Sequence, residues 1–308
     1  LIPVGGQPAE LDRLADTLDS LFHYEPAVSR VVLVDDFRGR FDVSAHVPPG
    51  LRDRTVVLAN PRDGRGNGWG PGLAVGMLHG LGWIAANTDD GFVLKIDTDT
   101  LVIGPFARAV AERFAADPAI GLLGTYSRTP NRSLDKPEDL ASAPAFRKLA
   151  KWATVWRRTS GSQWPHLQCP LFRRDRVVRR AIRAAADNGL PPGRHCQGGG
   201  YAVSRSALAA AAVGGWLCHP LAWLWTPCPE DGVVAVCVAA AGYRGADFNA
   251  DGEPFGVQHV GLPDTPERLV ARGFGIVHSV RDPNWPEAAT REFFRHRRRA
   301  AAPTQGST

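Results

Sequence analysis

Apolar positions in the first hundred residues follow two alternating spacings. Gln7–Phe22 sets Leu11, Leu14, Leu18 and Leu21 three or four residues apart, the spacing of a helix that lays one face on a sheet. Leu1–Val4, Val31–Val34 and Thr55–Ala59 are short apolar or β-branched runs, the pattern of strands in a parallel sheet. The first strand, the helix and Val31–Val34 together predict a βαβ unit with a right-handed crossover. Arg62–Gly72, RDGRGNGWGPG, is too rich in glycine for regular structure. Leu73–Ala86 then predicts a helix, and Phe92–Ile96 a central parallel strand. Strands alternating with helices are the signature of a nucleotide-binding parallel sheet.

Beyond residue 105 the pattern predicts a helix over Phe106–Ala116 and a strand over Ile120–Thr125. Asn131–Pro144 reads as loop or short helices, Phe146–Arg158 as helix, and Val177–Asn188 as a basic amphipathic helix. Gln197–Ser204 is extended, Ser206–Val213 and Pro229–Ala241 are helices, and Gly275–Val280 is a late strand. There is no internal repeat. The expected class is α/β, Rossmann-like, with a mostly parallel central sheet flanked by helices and a mixed second part.

Composition changes this picture little. A chain of 308 residues can bury a sizeable core, and no apolar run approaches the ~20 residues of a membrane-spanning helix. The net charge of +5 rests on arginine, since only Lys95, Lys136, Lys148 and Lys151 are lysines. Basic residues concentrate at Arg173–Arg183 and Arg295–Arg299, the second cluster running into the polar end AAAPTQGST. Residues 286–308 are therefore expected to form a basic, disordered tail. Contact with an anionic membrane surface is an alternative use of that charge; nucleic acid is not an expected partner. Cys169, Cys196, Cys218, Cys228 and Cys237 include no C-x-x-C pair, which argues against zinc and disulfide frameworks and for a cytoplasmic, reduced protein.

Candidate chemistry comes in a fixed order. Asp35-Asp36 ends the second predicted strand, where it can accept hydrogen bonds from a base or ribose. Asp97-Thr98-Asp99 ends the strand at Phe92–Ile96, and ligands of open α/β sheets bind at such carboxyl ends. Two carboxylates one residue apart repel unless a cation lies between them, and Mg²⁺ or Mn²⁺ commonly bridges carboxylates to phosphates. Next comes CQGGGYAVSR, in which Gly198, Gly199 and Gly200 let backbone approach a ligand. Glu230-Asp231 then opens a helix, and a single His278 follows in GIVHSVR. Each has a plainer reading: solvated loop acids, helix N-terminal acids facing the macrodipole, a buried structural histidine.

In this order the motifs resemble those of the GT-A glycosyltransferases: a metal-binding D-x-D, a glycine-rich loop, x-E-D and a late histidine. LIPVGG…VVLVDD…GNGWGPGLAVGMLHGL…KIDTDT is similar to the donor half of the large inverting family that includes bacterial polysaccharide and antibiotic sugar transferases. CQGGGYAVSR and PCPEDGVVAVCVAAAGYR are closer to β-1,3-galactosyltransferase and fringe-type enzymes. The metal motif departs from D-D-D, and Gly232 stands where an aliphatic residue follows E-D.

The resemblance implies a GT-A fold with a nucleotide-sugar half (residues 1–105), an acceptor half (106–285) and the tail. It implies an inverting transfer from a nucleotide-diphosphate sugar, UDP favoured, to an acceptor hydroxyl. Mn²⁺ or Mg²⁺ would be held by Asp97, Asp99 and His278, with Asp231 and Glu230 as catalytic residues and Asp231 the base. Pro3, Val4, Asp35, Asp36, Asn60, Arg62, Asp97, Thr98 and Arg281 would contact the nucleotide. Gly198–Gly200, Trp164 and Trp225 would face the acceptor, since aromatic faces stack on sugars. Lys95 reads as half of an ion pair with a neighbouring acid. Asp247-x-Asn249-x-Asp251-Gly252 mimics a calcium loop but has Gln258 where a bidentate Glu belongs, and reads as a turn. A retaining transferase, a sugar-phosphate nucleotidyltransferase and a non-catalytic nucleotide-sugar module remain the rival readings.

Overall fold

The computed structural model describes residues 1–308 except 38, 40, 69, 127–174, 192, 193, 227 and 302–308. The expected segments Asn131–Pro144 and Phe146–Arg158, together with Trp164, lie outside the described residues. The strands are β1 (Ile2–Val4), β2 (Val31–Asp35), β3 (Thr55–Ala59), β4 (Phe92–Ile96), β5 (Leu101–Val102), β6 (Ile120–Gly124), β7 (Gly200–Ser204), β8 (Arg244–Asp247), β9 (Phe255–Val257) and β10 (Ile276–His278). The helices are α1 (Ala9–Tyr24), α2 (Pro71–Asn87), α3 (Ala107–Ala116), α4 (Asp175–Asp187), α5 (Arg205–Val213), α6 (Glu230–Ala240), α7 (Pro266–Ala271) and α8 (Glu287–Ala301). None of these helices is long and apolar enough to cross a membrane.

The first βαβ unit forms as its periodicity predicts. α1 buries Leu11, Leu14, Leu18 and Leu21, while β1, β2 and β3 form a parallel sheet in the order β1-β2-β3. β4 meets β1 through two backbone bonds: Leu1 N–H to the Leu94 carbonyl at 2.8 Å and Ile96 N–H to the Leu1 carbonyl at 3.1 Å. The other edge of β4 pairs antiparallel with β7, in a sheet of order β4-β7-β6-β8. Phe92–Ile96 is thus central, but its second neighbour runs opposite to expectation. An apolar run reports burial on both faces and carries no information on the neighbour's direction. The whole is α/β, a parallel three-stranded sheet and mixed sheets flanked by helices, compatible with a Rossmann-like fold.

A small third sheet, order β5-β10-β9, positions the site. β5 begins two residues after Asp99 and pairs antiparallel with β10, setting Leu101 beside Val277. Val280 N–H then donates to the Asp99 carbonyl at 3.0 Å. Residues 181 positions apart are thereby fastened around the D-T-D turn.

The expected disordered tail is corrected over Glu287–Ala301, which is helix α8; 302–308 lie outside the described residues. Its Arg291, Arg295 and Arg298 converge on Asp16 of α1, Arg291 Nη1 at 2.7 Å, Arg295 Nε at 3.1 Å and Arg298 Nη2 at 2.7 Å. Arg291 Nη2 also donates to the Thr98 carbonyl at 3.1 Å. Arg297 and Arg299 of the basic cluster stay exposed, whereas Arg295 and Arg298, joined by the buried Arg291, tie α8 to α1 and to the turn between Asp97 and Asp99; their acidic partner is remote in sequence, so spacing does not reveal it.

Candidate active site

The D-T-D turn lies where β4 ends, and its two carboxylates have different surroundings. Asp99 is 3 % exposed. Its Oδ2 accepts from Ser279 Oγ at 2.7 Å and Arg281 Nε at 2.6 Å, and its Oδ1 faces His278 Nε2 at 3.2 Å. Asp97 Oδ1 accepts from Lys95 Nζ at 2.7 Å, and its Oδ2 is 3.7 Å from the same His278 nitrogen. Ligand atoms of Asp97, Asp99 and His278 all lie within 4.8 Å of one another. His278 Nδ1 is 2.6 Å from the Gln258 carbonyl. A carbonyl can only accept, so Nδ1 carries the proton and Nε2 turns to the aspartates, the outer-shell arrangement that orients a metal-binding imidazole.

Electrostatics match this geometry. Burial by itself would raise the Asp99 carboxyl, but His278, Arg281 and Ser279 hold it well below the usual carboxylate range. Burial disfavours a charged His278, yet Asp99 and Asp97 reverse that and raise its pKa. Two carboxylate oxygens and one imidazole nitrogen this close together could hold a divalent cation.

A cavity of about 660 Å³ opens beside this cluster, lined by Asp97, Thr98, Asp99 and Arg281 on one side. Pro3, Val4, Asp36, Asn60 and Arg62 also line it, with Glu10 and Arg13 of α1. Asp36 and Arg62 are paired with each other, Arg62 Nε to Asp36 Oδ1 at 2.7 Å. Arg62 also donates to the Arg65 carbonyl at 3.0 Å, organising the glycine-rich loop. Asp35 stands apart: it is absent from the cavity lining, and its Oδ1 caps Phe37 N–H at 2.6 Å. Asn60 spans the loop ends, accepting from Arg62 N–H and donating to the Gly72 carbonyl, each at 3.1 Å. Thr98 donates to Glu10 through its hydroxyl.

The second acidic pair opens α6. Glu230 is 3 % exposed; it accepts from the Tyr201 hydroxyl and lies 3.6 Å from Lys95 Nζ. Burial, opposed by Lys95 and reinforced by Asp231, pushes its carboxyl up to about 7. These partners seal Glu230 from solvent. Asp231 is different. Its Oδ1 accepts from Gly232 N–H at 2.8 Å and lies 3.4 Å from His195 Nε2.

Two glycines make the halves adjacent. A Cβ on Gly198 would stand 2.9 Å from Glu230 Oε2 and 3.3 Å from Asp231 Oδ2; one on Gly199 would stand 2.1 Å from His278 Nδ1. No side chain fits between the cation cluster and the acids of α6 at these positions. Gly200 belongs to β7 and pairs with Ile96. Trp225 is 72 % exposed, and its neighbour Leu224 lies against Gly66 of the glycine-rich loop.

Sequence reasoning missed Ser279, Tyr201, His195, Glu10 and Arg13. Ser279 and Tyr201 sit inside motifs already singled out, HSVR and GGGY, so proximity to a motif was the available signal. Glu10 and Arg13 carried none, being ordinary charges on an amphipathic helix. No known protein-family model matches the chain, and no curated protein shows a significant match.

Proposed function

We propose that this chain is a metal-dependent glycosyltransferase of the GT-A type, moving a sugar from a nucleoside-diphosphate donor, UDP favoured, to an acceptor hydroxyl with inversion. The observation that carries the reading is the convergence of Asp97, Asp99 and His278, with both aspartates lining a cavity of about 660 Å³ and Gly198 and Gly199 between the cluster and the acids of α6. The parallel β1-β2-β3 sheet supports it, since its carboxyl ends supply Val4, Asp36 and Asn60 to the same cavity.

The donor set fits Mn²⁺ or Mg²⁺, held by Asp97, Asp99 and His278. When bound, the cation supplies charge stabilisation for the departing nucleoside diphosphate. Arg281 lines the cavity and carries a planar fork suited to a phosphate. Asp231 takes the acceptor hydroxyl's proton: Gly232 N–H and His195 hold Oδ1, and Oδ2 is the oxygen on the Gly198 side. Glu230 anchors that carboxylate by fixing the first turn of α6 through Tyr201 and Lys95.

The test is a panel of nucleotide sugars with and without Mn²⁺, read first as thermal stabilisation and then as product stereochemistry by NMR. Mn²⁺-dependent stabilisation by a UDP-sugar and a β-linked product from an α-linked donor are expected. An α-linked product replaces inversion with the retaining reading, and stabilisation by a nucleoside triphosphate alone points to a nucleotidyltransferase.

A further inference from the structure

The cation cluster has an outer layer that allots the oxygens of each aspartate. Ser279 and Arg281 both occupy Oδ2 of Asp99, leaving Oδ1 towards His278 Nε2. Lys95 occupies Oδ1 of Asp97, leaving Oδ2 towards the same nitrogen. Each aspartate thus turns one oxygen to the centre of the cluster, although every carboxylate has two.

Lys95 is held in place from three sides. Its side chain is 1 % exposed, it donates to the Gly198 carbonyl as well as to Asp97, and Glu230 Oε2 lies 3.6 Å away. The Tyr201 ring is 5.6 Å from the ammonium. Releasing Asp97 Oδ1 would leave a buried ammonium short of a partner, which is strongly unfavourable. The oxygen it holds is therefore not offered to a cation.

Denticity matters for cation choice. Ca²⁺ takes six to eight oxygens and readily uses bidentate carboxylates, whereas Mg²⁺ demands near-octahedral geometry with single oxygens. An imidazole ligand further favours transition metals over the oxygen-seeking Ca²⁺. We infer that Lys95 is a positioning residue that sets the cation preference of the site, by holding Asp97 to one oxygen and so favouring Mn²⁺ over Ca²⁺. This rests on the proposed cation site and goes beyond it, since the same three ligands without Lys95 would accept either ion.

The experiment measures Mn²⁺ binding by the electron paramagnetic resonance signal of free Mn²⁺, with UDP present and Ca²⁺ as competitor, on the full chain and its Lys95→Met variant. Outer-shell changes typically shift metal affinity by ten- to a hundredfold, so the variant should lower the Mn²⁺-over-Ca²⁺ preference about tenfold. A merely structural role would weaken both ions together and leave their ratio within about twofold, which overturns the inference. If Lys95→Met fails to fold by circular dichroism, Lys95→Gln tests the same residue with a polar, uncharged side chain, and a smaller fall of about threefold is expected. An unchanged ratio there overturns it too. A wild-type chain that binds neither ion overturns the cation reading itself; a selective wild type with an unaltered variant ratio overturns only the role of Lys95.

Discussion

Two acidic pairs, Asp97/Asp99 and Glu230/Asp231, stand side by side in this molecule in opposite surroundings. In the first, both aspartates line the cavity and each turns one oxygen to His278 Nε2. In the second, one carboxylate is sealed against Tyr201 and Lys95 while the other turns Oδ2 to the Gly198 side. Lys95 touches both pairs, and Gly198 and Gly199 are the thin partition between them. On the proposed reading, the acids that converge hold the cation and the acids that diverge divide into an anchor and a base.

The largest break in this comparison comes from Asp231→Asn. A positioned base contributes about 10² to 10⁴ in rate, so transfer should fall on the order of a thousandfold. UDP affinity in Mn²⁺, measured by titration calorimetry, should stay within about threefold, and a matching loss of UDP binding would merge the two pairs into one. Asp99→Ala should do the reverse and weaken Mn²⁺-dependent UDP binding by about a hundredfold; retained binding in calorimetry would remove the cation role.

Asp16→Ala tests the scaffold beneath the first pair. It leaves Arg291 and Arg298 buried without their main acid, which typically costs about 3–5 kcal/mol. Urea unfolding measures this directly, and a loss under about 1 kcal/mol would mean that α8 is not a structural element of the site.

Glu230→Gln sharpens the contrast through pH. The Glu230 carboxyl is pushed up to about 7 by burial against an ordinary 4.5, so the native state holds its proton after the unfolded chain has lost it. Stability from this group is full below pH about 4.5 and is lost as pH rises through about 7. Wild type should therefore lose on the order of 2–3 kcal/mol more than Glu230→Gln between pH 5 and pH 8 in urea titrations. Parallel curves would show that Glu230 is ionised throughout. The smallest effect is expected at Trp225, where Trp225→Ala should change stability by less than about 0.5 kcal/mol because the side chain is 72 % exposed; any effect belongs in the acceptor KM.

Legibility differed by element for physical reasons. α1 and β1 to β3 are readable because their apolar spacing is set by one neighbour, the sheet. The direction of β7 beside β4 is not, because pattern reports burial alone. The two basic clusters make the point at closer range. On α4, Arg180 and Arg183 are exposed and Arg180 lies over the Trp216 ring at 4.8 Å, as a basic amphipathic helix predicts. On α8, Arg291, Arg295 and Arg298 follow helical spacing too, yet they turn inward because Asp16 waits on α1. At the site, the acids, glycines and His278 could be named from motif order, whereas the pairing of Asp36 with Arg62 and the turning of Asp35 to Phe37 could not.

The sequence by itself determined where strands and helices alternate, which acids end a strand or open a helix, and which glycines permit close approach. These are local matters, decided by spacing and by the steric demands of single residues. Only the tertiary structure decided which oxygen of each aspartate is free, which carboxylate is sealed, and that the last helix braces the D-T-D turn. Those depend on partners dozens to hundreds of residues away, and a buried charge takes its chemistry from whatever the fold places within a few ångströms of it.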